Sequence, residues 1–180
     1  YNWIACPYTD TSNLTALKDE LDDRFGPMRQ IGGRAFGAFR GTHGETGTFG
    51  GNHNSPHLSV MGTGKAISPT WLWCAVNAAV AGQALAIDPA RPLQTLQLPL
   101  ILGPKEADRF TDTERNLLLF DGIATFKVAS DGTVSIERQI TTFQETDAGV
   151  ASDSYLDINV AETLERIRYD QRARILQRFP

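Results

Sequence analysis

The chain has 180 residues, 41% of them hydrophobic and 21% charged, enough to bury about two-thirds of its unfolded surface around a core and fold as a globular unit. A formal net charge of -4 and a pI near 5.3 leave no general electrostatic footprint for nucleic acid or a membrane surface, so neither is expected as a partner. The longest apolar stretch, Trp71 to Ile87, is interrupted by Asn77, Gly82 and Gln83 and falls short of the ~20 residues that span a bilayer, so it reads as a core helix.

In chain order, Trp3 to Tyr8 suits a buried strand, with Pro7 restricting its place in a sheet. Asp10, Thr11 or Ser12 caps a following helix whose Leu14, Leu17, Leu21 and Phe25 line one face, and Gly26-Pro27 ends it. Ala35 to Arg40 reads as a strand, the Gly- and Thr-rich Gly41 to Asn54 as a weak helix or loop, and His57 to Met61 as another strand. Such alternation predicts a parallel sheet covered by helices. Ser68 and Pro69 occupy the cap and first-turn positions of a helix from Thr70 to Ala86, almost apolar all round and therefore buried.

Asp88 to Lys105, with four prolines, is a connection holding a short strand around Leu93 to Leu98. Thr111 and Glu114 have capping-box spacing ahead of Leu117, Leu118, Leu119 and Phe120, and Asp121-Gly122 turns the chain. Ala124, Phe126 and Val128 alternate with polar neighbours, Ser130-Asp131-Gly132 supplies a turn, and Val134, Ile136 and Ile140 alternate on the return strand of a hairpin. The last helix, 159 to 179, carries an apolar stripe of Val160, Leu164, Ile167, Ile175 and Phe179. In its second half Arg166, Arg168, Arg172, Arg174 and Arg178 outnumber Glu165 and Asp170. The fold class is α/β (α+β), a mixed sheet with flanking helices, with the C-terminal β-hairpin and long helix packed as one layer. Residues 1–180 form a single core, with a strand and helix alternating part to 105 and the remainder from 106.

Little here points to catalysis. Gly62-Thr63-Gly64-Lys65-Ala66 follows a strand and precedes a helix, but a phosphate loop needs a Gly where Ser59 stands and a Ser or Thr where Ala66 stands. His43, His53 and His57 share one Gly-rich stretch without zinc-site spacing or accompanying thiolates, so no metal is expected. Cys6 and Cys74 sit in apolar segments that suppress reactivity, and reduced, buried thiols are expected. No Gly-x-Ser-x-Gly elbow is present, and Asp19, Glu20, Asp22 and Asp23 read as the solvated face of a helix. No enzyme activity and no cofactor follow. The arginines suit either the negative pole of their helix or carboxylates on another subunit. A small-molecule-binding α/β domain rests only on the strand-helix alternation and the Gly-Thr-Gly-Lys turn.

Several segments resemble the tail sheath protein of Mu-like contractile phages. These are Tyr8-Thr9-Asp10, Arg24-Phe25-Gly26-Pro27-Met28-Arg29-Gln30, Asn54-Ser55-Pro56-His57, Asp88-Pro89-Ala90-Arg91-Pro92-Leu93-Gln94-Thr95-Leu96 and Glu114-Arg115-Asn116-Leu117-Leu118-Leu119. The run Asp121-Gly122-Ile123-Ala124-Thr125-Phe126, with Gly132-Thr133-Val134 and Ile136-Glu137-Arg138, is similar to the family's hairpin. The resemblance implies a structural subunit that polymerises with its neighbours around a tail tube and contracts to drive the tube through the host envelope. Its partners would be other sheath subunits, the tube protein, the baseplate and the tail terminator. It would reside in the virion tail and, during assembly, in the host cytoplasm. Sheaths of contractile bacteriocins and secretion systems share this mechanism. The resemblance also implies that Arg166, Arg168, Arg172, Arg174 and Arg178 face the tube. Opening at Tyr1 straight into apolar residues, and closing on Phe179-Pro180, the chain is expected to be a core fragment without the family's strand-exchanging arms and to polymerise poorly alone.

Overall fold

Asp10 accepts a hydrogen bond from the Asn13 amide and starts α1 (Thr11–Phe25), which ends where Gly26 returns its amide to Asp22 and Asp23. The computed structural model describes residues 2–179. The remaining elements are β1 (Trp3–Ala5), β2 (Arg34–Phe39), α2 (His43–Gly51), β3 (Leu58–Gly62), α3 (Thr70–Ile87), α4 (Asp112–Phe120), β4 (Ile123–Val128), β5 (Val134–Arg138) and α5 (Ile158–Arg178). A short 3-10 turn, Glu106–Asp108, precedes α4.

The five strands form one sheet in sequence order, parallel from β1 to β4 and antiparallel between β4 and β5. Alternation along β2 and β3 sends Ala35, Leu58 and Val60 to one face and Phe36, Ala38 and Met61 to the other. On the first face they meet Leu14 and Leu21 of α1, Phe49 of α2 and Leu118 of α4. On the second they meet α3, where Trp73 is wholly buried with its ring 4.6 Å from that of Phe126. Each such large apolar side chain contributes about 1.5–3 kcal/mol by leaving water. Two-sided burial explains why β3 is buried at all five positions.

Several expectations need correction. The first strand is three residues long, half-exposed and at the sheet edge, and Pro7 lies beyond it because it has no amide to pair. The stretch after Arg40 forms a true helix, α2, because Thr42 and Glu45 make a reciprocal capping box that outweighs its glycines. Helix α3 starts at Thr70 as expected, but its cap is not Ser68. Pro69 is its cap, while the Ser68 hydroxyl accepts from the Leu102 amide at 2.8 Å and holds the 99–103 loop. Although α3 is long and apolar enough to cross a membrane, it packs one side into the core and leaves Trp71 and Ile87 exposed. Residues 95–98 do not form a full strand but bond to β5 at Ile136 and Val134, bridging at Gln97 and Ser135. Ile140 lies past β5, bridging Asp157.

The hairpin and the long helix do not form one layer. Strand β4 pairs in parallel with β3 at Val60 and Met61, so the hairpin extends the sheet. The inner edge of β3 is buried, and its amides and carbonyls need a strand on both sides. Helix α5 instead starts against β2 and α3, where Ile158 packs among Phe36, Ala81 and Leu93.

Candidate functional site

The apolar stripe expected on α5 is not buried against the body. Only Ile158 and Ala161 are buried, and Val160, Leu164, Ile167, Ile175 and Phe179 are all exposed. Charges hold the helix instead. The buried Arg34, at the start of β2, lies 3.1 Å from Glu165 Oε2 and 3.9 Å from Glu162 Oε2. The shorter approach is an ion pair without hydrogen-bond alignment, since Glu165 Oε2 and Arg34 Nε both lack a hydrogen-bond partner among the described residues. Burial pushes the Glu162 carboxyl above its ordinary range, against the pull of Arg34. A Cβ at Gly32 would sit 0.8 Å from Glu165 Oε1, so any larger residue there displaces this carboxylate from its place beside Arg34.

Arg34 also donates from Nη1 to the Gly33 carbonyl at 2.9 Å and to His57 Nδ1 at 2.8 Å. A guanidinium only donates, so Nδ1 accepts and the ring is neutral, with its proton on Nε2, 3.6 Å from Asp22 Oδ1. Burial first, then the Arg34 charge, hold the His57 pKa at about 4, while Asp22 acts the other way and Lys18 with Arg34. The His57 ring lies 4.9 Å from that of Phe25, and the Arg168 guanidinium lies 4.2 Å above the other ring. Arg168 further donates to the Gly26 carbonyl at 3.3 Å. At the start of α5, Arg138 grips Asp157 through two hydrogen bonds of 3.1 and 3.0 Å.

A pH dependence follows from His57. Between its ordinary value of 6.5 and about 4 the unfolded chain binds a proton that the folded chain refuses, so stability is full above pH 6.5 and falls on acidification. The loss should reach about 3 kcal/mol by pH 4. Glu162 opposes it, since its raised pKa adds stability as pH falls through it. Urea unfolding at pH 7 and pH 4 of the wild type and of His57→Gln checks this: the variant should show the smaller acid loss, and equal losses would remove His57 as the cause.

The five arginines separate. Arg168 is held against the body, and Arg166 lies 3.6 Å from Asp170 and 5.8 Å from the centre of the Tyr169 ring. Arg172, Arg174 and Arg178 are exposed and have no ion-pair partner among the described residues. Stepping by three and four from the buried Ile158 and Ala161 puts Arg172, Leu176 and Phe179 on the body side of the helix and Arg174 and Arg178 on the outer side. A groove of about 470 Å³ runs along the body side between Asn2, Gln30, Ile31, Tyr169 and Arg172. Sequence reasoning missed Arg34, Glu162 and His57 as a group. A lone Arg opening a strand of otherwise apolar residues was the one signal available.

The remaining motifs fall elsewhere. Lys65 pairs with Asp108 at 3.1 Å, so the Gly-Thr-Gly-Lys turn closes on its own chain. His43 Nε2 lies 3.1 Å from the Glu114 carbonyl and His53 Nδ1 lies 2.7 Å from that of Phe49, which sends the three histidines to different places. Burial pushes the Cys74 thiol up to about 12 and that of Cys6 upward.

Residues 1–142 match the family described as phage tail sheath protein central domain. Over all 180 residues the chain is 42% identical to the Mu-like prophage FluMu tail sheath protein of Haemophilus influenzae and spans 37% of that relative's length. The fold is similar to the sheath tail protein of Desulfitobacterium hafniense, with a TM-score of 0.68 at 18% identity, covering 99% of this chain and 40% of that one. It is also similar to a chain in the baseplate of the anti-feeding prophage, with a TM-score of 0.67 at 15% identity, covering 99% and 46%.

Proposed function

The chain belongs to the phage tail sheath protein family through that central domain, and we propose that it is the core of a longer sheath subunit that polymerises around a tail tube and contracts to drive the tube through a host envelope. The family is one of structural proteins, and we assign the chain no catalytic role. Residues 1–180 act as one core, with neighbouring copies, the tail tube, the baseplate and the tail terminator as partners. It works in the virion tail after assembly in the host cytoplasm. The match of residues 1–142 to the family carries this reading. Electron microscopy of the longer protein, expressed alone at moderate salt, should show hollow ordered sleeves; a persistent monomer would overturn polymerisation as its role.

For the tube contact we propose the arginines of α5, Arg166, Arg168, Arg172, Arg174 and Arg178, with unequal weights. Arg174 and Arg178 lead, because they are exposed, without an ion-pair partner among the described residues, and on the outer side of the helix. Arg168 contributes least, since its guanidinium already stacks on Phe25. Exposed ion pairs are individually weak and screened by salt, which suits a sleeve that must grip and then release. Reversing Arg174→Glu and Arg178→Glu in the longer protein should cut tube co-sedimentation about tenfold at low salt while sleeves still form. Unchanged co-sedimentation would remove these two residues from the contact.

A further inference from the structure

The body side of α5 is unfinished. Ile158 and Ala161 are buried on it, yet the residues that continue the same side, Tyr169, Arg172, Leu176 and Phe179, are exposed, and Ile31 across the groove is 43% exposed. Scattered apolar residues on a surface need no explanation, but Tyr169, Leu176 and Phe179 continue a buried helix face beside a groove of about 470 Å³, whose mostly polar wall includes Ile31 and Tyr169. The groove is also electrostatically biased. Glu162 and Glu165 on its wall are committed to Arg34, whereas Arg172 faces it without a partner among the described residues.

We infer that this groove, between the 30–32 turn and the distal half of α5, is the docking seat of another part of the same longer polypeptide, an apolar segment carrying a carboxylate for Arg172. The occupant is assigned to the same polypeptide because the chain accounts for only 37% of the length of a relative with which it is 42% identical throughout, so such a protein has ample further chain to cover the seat. An intramolecular occupant is present at every protein concentration, which a contact between copies is not. Covering the seat would also convert α5 from a helix pinned mainly by Arg34 and Arg168 into one packed along its length. The inference rests on family membership and on the unfinished face, not on contraction or tube binding.

The experiment places a photo-crosslinking residue at Tyr169, 61% exposed and therefore tolerant of change, in the longer protein prepared as a mixture of isotopically heavy and light copies. Irradiation should give crosslinks joining position 169 to residues outside 1–180, within heavy or within light copies, at a yield independent of dilution. Amide exchange across 169–179 should also be about tenfold slower or more than in the 180-residue chain. Crosslinks between heavy and light copies would assign the seat to a second subunit and overturn the inference. So would equally fast exchange in the two proteins without crosslinks. A longer protein that stays monomeric but crosslinks within itself would overturn the polymerising role and leave this inference standing.

Discussion

Arg34→Met is expected to destabilise the protein by about 3–5 kcal/mol, the cost of leaving one side of a buried ion pair uncompensated. Methionine keeps most of the side-chain volume, so the loss measures charge and hydrogen bonding. The change leaves Glu162 and Glu165, with side chains only 14% and 16% exposed, without the cation that pairs with them, and it takes from His57 the donor that fixes its tautomer. Because α5 has only two buried side chains, the first consequence should be local. Amide exchange across 158–168 should accelerate at denaturant concentrations where the five-stranded sheet stays protected. Adding Glu162→Gln and Glu165→Gln to Arg34→Met should recover much of the loss, since the stranded charges go with them. Urea unfolding of the three proteins decides the matter. A loss below about 1 kcal/mol for Arg34→Met would mean that the network is screened by water like a surface pair.

Gly50→Ala should cost about 3 kcal/mol, although alanine is the better helix former. A Cβ at Gly50 would lie 2.1 Å from the Asp121 backbone oxygen and 2.8 Å from Ile123 Cγ1, and neither can yield without moving the turn that feeds β4. Gly51 and Gly44, in the same helix, have nothing within 4 Å of an added Cβ. Gly51→Ala and Gly44→Ala should therefore leave stability unchanged or raise it by up to about 1 kcal/mol. Thermal unfolding of the three variants gives the ordering, and a Gly50→Ala protein as stable as Gly51→Ala would show that α2 does not approach β4 so closely.

That contrast explains one limit of reading the chain as a string. The glycines of 41–54 suggested weak structure because propensity counts them as losses, whereas Gly50 is the condition for α2 lying against the turn at Asp121. The capping box of Thr42 and Glu45 was legible in the same way as that of Thr111 and Glu114, but low helix propensity obscured it. For α5, periodicity found an apolar stripe but not what it would face. The stripe is exposed, and the residues that bind the helix are an arginine more than a hundred positions away and two glutamates.

By itself the sequence determined the α/β alternation, a first helix capped within Asp10 to Ser12, the cap at Thr111, the hairpin turn at Ser130-Asp131-Gly132, the arginine-rich last helix and the resemblance to tail sheaths. These depend on neighbours within about four residues or on whole-chain likeness, and both are written along the string. Tertiary structure alone decided the placement of β4 beside β3, the short edge strand at Trp3, the burial of Arg34 with Glu162 and Glu165, the neutral His57 and the separation of the arginines into one held against the body and others exposed. Each of these turns on which distant segment removes a group from water, and charges, amides and apolar faces acquire their energetic meaning only when that partner is in place.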